Sequence, residues 1–219
     1  MTGASSGIGS AIVTRLLDGG WSVIGISRSA VMRDSDQFQP LQVDLKNYSQ
    51  LRQALTSITE VQAIVHAAGL MHTARLGALN ESDGAAMWGV HVGAAEVLVN
   101  ELADKMTTGG RIVLIGSRAA AGVAGRSQYA ATKAALIGLA RSWAAELVTR
   151  QITVNVVAPA ATATPMLVDS NRVGTPPKTP PIGRFIAPEE VAELTAFLLG
   201  PHAGAITGQH IVICGGSSL

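Results

Sequence analysis

The chain has 219 residues, of which 47% are hydrophobic and 14% charged, with a formal net charge of +1. Such a composition fits one well-buried globular domain and excludes disorder. No apolar run reaches bilayer length, the opening Met1–Ser5 has neither the basic nor the apolar part of a secretory signal, and no basic block is present, so membrane and nucleic acid are not expected as partners and a cytoplasmic location is the default.

In chain order, Thr2-Gly3-Ala4-Ser5-Ser6-Gly7-Ile8-Gly9 opens a helix whose apolar residues Ile8, Ile12 and Leu16 repeat every four positions. Strand-like runs follow at Ser22–Ser27 and Leu41–Val43, and Leu51, Ala54, Leu55 and Ile58 show the helical i, i+3, i+4, i+7 pattern. Ala63–His66 and Arg111–Ile115 are the next strands. A helix with Leu136, Leu139, Ala140, Trp143 and Leu147 on one face comes after them, then a strand at Ile152–Val157. Thr175–Pro181 holds four prolines in seven residues and reads as a stiff connector or as part of a lid. A last helix opens at Pro188-Glu189-Glu190, and a last strand covers His210–Cys214, where the lone cysteine Cys214 is expected to be a buried strand residue.

Short strands alternating with helices predict an α/β fold, a doubly wound parallel sheet with helices on both faces. The glycines at 3, 7 and 9 allow close backbone approach, and the free N–H groups of the first helix would point at a pyrophosphate, the Rossmann-type arrangement for a dinucleotide. In that arrangement a buried strand precedes the loop, and here only Met1 does. The sequence therefore predicts a first strand that is missing or truncated, and either a native chain that begins further upstream or a first strand that has been lost.

Cofactor preference is read at the end of the second strand. NAD binding calls for a carboxylate there, whereas the chain reads Ile26-Ser27-Arg28-Ser29. Arg28 either pairs with a 2′-phosphate or is merely solvated; the first reading favours NADP(H) over NAD(H). Asp44 either lies near the adenine or caps the following helix.

Tyr129 and Lys133 stand four apart on one helix and so share a face. An ammonium beside a phenol stabilises phenolate and brings its pKa down from about 10, which suits a proton donor to a carbonyl or acceptor from an alcohol. Ser117 follows a buried strand at the edge where ligands bind in open parallel sheets; it orients the substrate oxygen or is a turn residue. No residues are assigned to a metal.

At this point the chain resembles the short-chain dehydrogenase/reductase family, in its single-domain branch, and most closely the 3-oxoacyl-carrier-protein reductase type. The resemblance rests on Thr2–Gly9, Ala67-Ala68-Gly69, Ser117, Tyr129…Lys133, Asn155-Val156-Val157-Ala158-Pro159, Pro181-Ile182-Gly183-Arg184 with Pro188-Glu189-Glu190-Val191, and Thr207-Gly208-Gln209 with Gly215-Gly216. It covers nearly the whole chain and implies one NAD(P)-binding domain over residues 1–219, with a substrate loop at 160–188. Tyr129 would be the acid/base, Lys133 its electrostatic partner and Ser117 the orienting group. Gly3, Ser5, Ser6, Ile8, Ala68, Gly69, Thr162 and Thr164 would touch the cofactor, together with Arg28, Asp44, Tyr129 and Lys133. A homotetramer or homodimer is implied, packed through helices over Asp83–Met106 and Ser127–Thr149.

The chain departs from the family in places. His91 stands where an asparagine of a proton relay is usual, and is either a catalytic relay or a packed histidine. His66 replaces an asparagine and is read as structural, Ala160 replaces a glycine, and the Ser117-to-Tyr129 interval is one residue short. The expected reaction moves a hydride between nicotinamide and a small ketone or secondary alcohol, with a 3-oxoacyl thioester as the general candidate and a polyol or cyclic alcohol as an open alternative. Arg150 matches one position useful for an acidic carrier protein, while Arg118 and Arg126 flank the catalytic loop without an assigned role. A cofactor-binding regulator without turnover is the second reading. An epimerase or dehydratase of the extended branch would need a substrate domain for which the chain has no room.

Overall fold

The computed structural model describes residues 1–168 and 176–219. The helices are α1 (Gly7–Asp18), α2 (Tyr48–Leu55), α3 (Glu81–Trp88), α4 (Ala94–Leu102), α5 (Ser127–Leu147) and α6 (Pro188–Leu199). The strands are β1 (Val23–Ser27), β2 (Phe38–Gln42), β3 (Val61–His66), β4 (Met106–Ile115), β5 (Thr153–Pro159) and β6 (His210–Ile213). All strand pairs are parallel, in two groups ordered β1-β2 and β3-β4-β5-β6.

The predicted first strand is reduced to Met1 and Thr2, which join the two groups. Thr2 bridges Ile26 on one side and His66 on the other. The Thr2 amide donates to the Val65 carbonyl at 2.9 Å, and the Ile26 amide to the Met1 carbonyl at 2.7 Å. A cavity of about 760 Å³ lies where β1 and β3 face each other further along, and Ile24 and Ile64 line it.

The alternation of strand side chains separates two cores. Ile112, Leu114, Val154 and Val156 pack with α2, α4 and α5, while Val113, Ile115 and Val157 pack with α1 and α6. Apolar residues on both faces explain why these strands read as continuous Val/Ile runs. β2 is an edge strand, and this accommodates Pro40, which has no amide to give the ladder.

Three sequence expectations are corrected. The stretch Asp83–Met106 is not one helix: α3 ends at Trp88, a π-helical turn fills Gly89–Gly93, α4 ends at Leu102, and Met106 already opens β4. The π-turn shifts the phase of the apolar face, which hides the helix from a 3.6-residue search. Helix α2 stops at Leu55, so Ile58 is buried beyond it. Cys214 lies just past β6, half-buried rather than fully so, and a hydrogen bond to Ser218 holds its thiol below the usual range.

Among the described residues, no helix is long and apolar enough to cross a membrane.

Candidate active site

The site lies at the carboxyl edge of the sheet, where the ends of β3, β4 and β5 meet the start of α1. Ser117 leaves β4 in extended conformation and stays buried. Its Oγ accepts the Ala119 amide at 3.1 Å, which starts a short 3-10 turn and fixes the hydroxyl at the edge.

Helix α5 buries Tyr129, Lys133, Leu136, Ala140 and Ala144, one stripe at i, i+4, i+7 spacing. The apolar end of that stripe seats the helix on the core, and the same geometry carries Tyr129 and Lys133 inward together. Lys133 Nζ donates to the Ile115 carbonyl at 2.8 Å and lies 5.9 Å from the centre of the Tyr129 ring. Burial pushes the Lys133 ammonium down to about 7. Ser117, Tyr129 and Lys133 line one cavity of about 620 Å³, which Ile8, Gly69, Thr162 and Thr164 also line.

His91 sits in the π-turn behind Tyr129, their rings edge-to-face at 5.6 Å. Its Nε2 accepts the Leu70 amide at 3.1 Å, so that nitrogen carries no proton and Nδ1 carries it instead. Nδ1 is 2.8 Å from Thr132 Oγ1, which donates its own proton to the Tyr129 carbonyl at 2.8 Å. His66 has the other tautomer: Nε2 donates to the Val90 carbonyl at 3.1 Å, and Nδ1 accepts from Thr2 Oγ1 at 2.9 Å. Burial is the main reason both imidazoles are held neutral, His66 at about 3 and His91 well below its usual value, with the Lys133 charge adding to it. His66 is thus structural, as its sequence position suggested.

The glycine loop works by backbone approach. Gly3 has φ +73°, and a Cβ there would lie 2.6 Å from the Ala68 nitrogen. A Cβ on Gly9 would lie 2.0 Å from the Gly3 carbonyl oxygen. These two positions let residues 2–9 close on Ala67-Ala68-Gly69. At the start of α1, Ser6 makes no side-chain cap and no acid occupies the first turn, while Ser5 and Ser6 are exposed. This set of free amides and hydroxyls fits a pyrophosphate.

Arg28 is exposed at the end of β1 with its carbonyl bonded to Gln42 Nε2 at 3.0 Å. Asp44 is not the cap of α2. Asn47 is, accepting the Gln50 amide at 3.0 Å, while Asp44 Oδ1 accepts the Lys46 amide at 3.0 Å in the preceding turn. Thr162 Oγ1 donates to the Ala160 carbonyl at 3.1 Å, and Thr164 Oγ1 to the Thr162 carbonyl at 3.4 Å. Arg150 gives its guanidinium to the carbonyls of Ala103 and Met106 at 2.9 and 2.7 Å, which ties the turn after α5 to the segment between α4 and β4.

Of the substrate loop, residues 169–175 lie outside the described residues, while Pro176, Pro177, Lys178 and Pro181 line the cavity. Its far end is anchored by Arg184, which forks onto Glu190 at 2.6 and 2.9 Å; this pair holds the Glu190 carboxyl down to about 2. Sequence reasoning missed Thr132 and the Leu70 amide. The only signal for Thr132 was its place three residues after Tyr129, among other small residues of the helix.

Residues 3–218 match the family model described as enoyl-(acyl carrier protein) reductase. The chain is 33% identical over 236 residues to 3-oxoacyl-[acyl-carrier-protein] reductase FabG of Vibrio cholerae, covering 99% of this chain and 95% of that one. Among solved structures, a short chain dehydrogenase family protein of Francisella tularensis superposes with a TM-score of 0.91 at 25% identity, covering 99% of this chain and 96% of that one. A blue fluorescent protein from a metagenomic library, solved in complex with NADPH, superposes with a TM-score of 0.87 at 30% identity, covering 100% and 96%.

Proposed function

Because the chain belongs to the short-chain dehydrogenase/reductase family, oxidoreductases acting on CH–OH groups, we propose that it is an NADP(H)-dependent reductase or dehydrogenase of a small ketone or secondary alcohol. The observation that carries this reading is the shared cavity of Ser117, Tyr129 and Lys133 at the carboxyl edge of the sheet. The bound nicotinamide supplies or accepts the hydride. The remaining work falls to side chains of the chain itself. Ser117 orients the carbonyl oxygen by hydrogen bonding. Tyr129 gives that oxygen its proton on reduction and removes it on oxidation. The Lys133 ammonium, one helical turn away, supports the phenolate form.

The free amides of α1, with Gly3, Ser5, Ser6 and Ile8, support a dinucleotide pyrophosphate, and Ala68, Gly69, Thr162 and Thr164 support its nicotinamide half. Arg28, exposed with no carboxylate beside it in sequence, supports the 2′-phosphate and hence NADP(H). We assign His91 a positioning role, since both ring nitrogens already have partners. The substrate reading includes 3-oxoacyl thioesters, the substrate class in the name of the Vibrio relative. A homo-oligomer is the expected assembly, supported by the half-exposed Trp88 on α3.

The test is calorimetric binding of NADPH and NADH to the purified protein, followed by a ketone screen with Tyr129→Phe as control. Preferential NADPH binding and Tyr129-dependent turnover are expected. Cofactor binding without turnover on any carbonyl would favour a regulatory protein instead.

A further inference from the structure

Among the described residues, Arg75, Arg118 and Lys178 line the cavity beside Tyr129 along with Lys133, and no Asp or Glu does. The whole chain has 16 basic and 15 acidic residues, so the excess is local. Two arginines outside the cavity are matched to acids, Arg15 to Glu193 at 2.7 Å and Arg184 to Glu190 at 2.6 Å. Arg118, half-buried, and Arg75, exposed, have no side-chain hydrogen bond or ion pair among the described residues. A partly desolvated guanidinium without a counter-ion costs free energy, and several cations in one concavity focus a positive potential on whatever enters.

From this lining we infer that the substrate carries a carboxylate a few bonds from the reacting carbonyl, and that Arg118 receives it. The inference rests on the oxidoreductase reading and narrows it. Arg118 follows Ser117 directly in the chain and lines the same cavity. A planar guanidinium accepts both oxygens of a carboxylate in one fork. Arg75 and Lys178 add to the field, and neither pairs to an acid among the described residues. The cofactor's phosphates have their own donors in the start of α1, and of residues 3–9 only Ile8 lines this cavity. The phosphate of a carrier arm is the other source of anionic oxygens, but it lies many bonds from a thioester carbonyl, too far to reach the residue next to Ser117.

The test compares acetoacetate with ethyl acetoacetate, the same ketone with and without the charge, and adds acetoacetyl-CoA for the carrier phosphate. Turnover is followed as NADPH oxidation. Acetoacetate should exceed its ester in kcat/KM by about 10-fold or more, the worth of one charge-assisted pair. The ratio should fall toward one in Arg118→Gln and be partly kept in Arg118→Lys. A readout independent of turnover is phenylglyoxal modification of the NADP⁺-loaded protein, located by peptide mass spectrometry. Acetoacetate, and not the ester, should protect Arg118. If the ester is reduced as well as the acid and neither protects Arg118, the carboxylate inference is overturned while the oxidoreductase reading stands. A preference for acetoacetyl-CoA that is unchanged in Arg118→Gln, with no protection by acetoacetate, overturns it in favour of a carrier phosphate. Protection of Arg118 by acetoacetate with no reduction of any of the three ketones upholds the anion site and counts against hydride transfer.

Discussion

The Nδ1 proton of His91 goes to Thr132 Oγ1, 2.8 Å away, and the Thr132 hydroxyl proton goes on to the Tyr129 carbonyl. With Nε2 accepting the Leu70 amide, the imidazole links the loop after β3 to the helix that carries Tyr129 and Lys133. An asparagine at this position could hold a water; a histidine with both nitrogens engaged fixes two backbone segments instead.

The first prediction separates positioning from proton transfer. His91→Phe and Thr132→Val each leave a buried polar group unpaired and should cost about 1–3 kcal/mol in urea unfolding. Their effects should not add, because both break the same chain of bonds. In active variants the shape of the pH–rate profile should persist. Loss of one ionisation from that profile in His91→Phe would return His91 to the relay role.

Tyr129→Phe removes the proton donor and keeps the ring. Turnover should fall about 10²–10⁴-fold, the usual worth of a positioned acid/base, with NADPH affinity nearly unchanged by calorimetry. Variant activity within tenfold of the parent would remove Tyr129 from the reaction.

Acid should destabilise the protein through its buried histidines. A base whose folded pKa is depressed binds more protons when unfolded, so its contribution is complete above the unfolded value near 6.5 and is lost as pH falls from there toward the folded one. For His66, held at about 3 mainly by burial, the window runs from about 6.5 to about 3. By pH 5 this single group should have cost about 2 kcal/mol. Urea midpoints measured from pH 8 to 5 should fall accordingly, and a flat profile would contradict a neutral buried His66.

Arg28→Ala should weaken NADPH binding by roughly tenfold and leave NADH binding within a factor of about two, since only the first ligand has a phosphate for the guanidinium. Equal losses for both cofactors in calorimetry would mean that Arg28 does not discriminate between them.

Gly9→Ala should be far more damaging than its size suggests. The added methyl would sit 2.0 Å from the Gly3 carbonyl, so the loop must move away from Ala68. We expect loss of cofactor binding together with a lowered Tm; retention of both would show that the loop can open at no cost.

Much of this protein was legible in its sequence because the signals are local. Glycine spacing at 3, 7 and 9, the four-residue step from Tyr129 to Lys133, and runs such as Ile112–Ile115 depend on neighbours within a turn or a strand, and backbone geometry turns them directly into a loop, a shared face and a buried strand. Other features depended on what lies far away in the chain. The hydrogen-bond partners of His91, the Leu70 amide and Thr132, are 21 and 41 residues distant. The tautomer of His66 turned on Thr2, 64 residues away, and the π-turn erased the periodicity that would have announced α3 and α4. The lack of a partner for Arg118 among the described residues is of the same kind, since pairing is a property of the assembled cavity. Sequence by itself determined the fold class and singled out the residues proposed for the chemistry. Only tertiary structure decided which hydrogen-bonding groups already have partners, because a pair is made by distance in space and not by spacing along the chain.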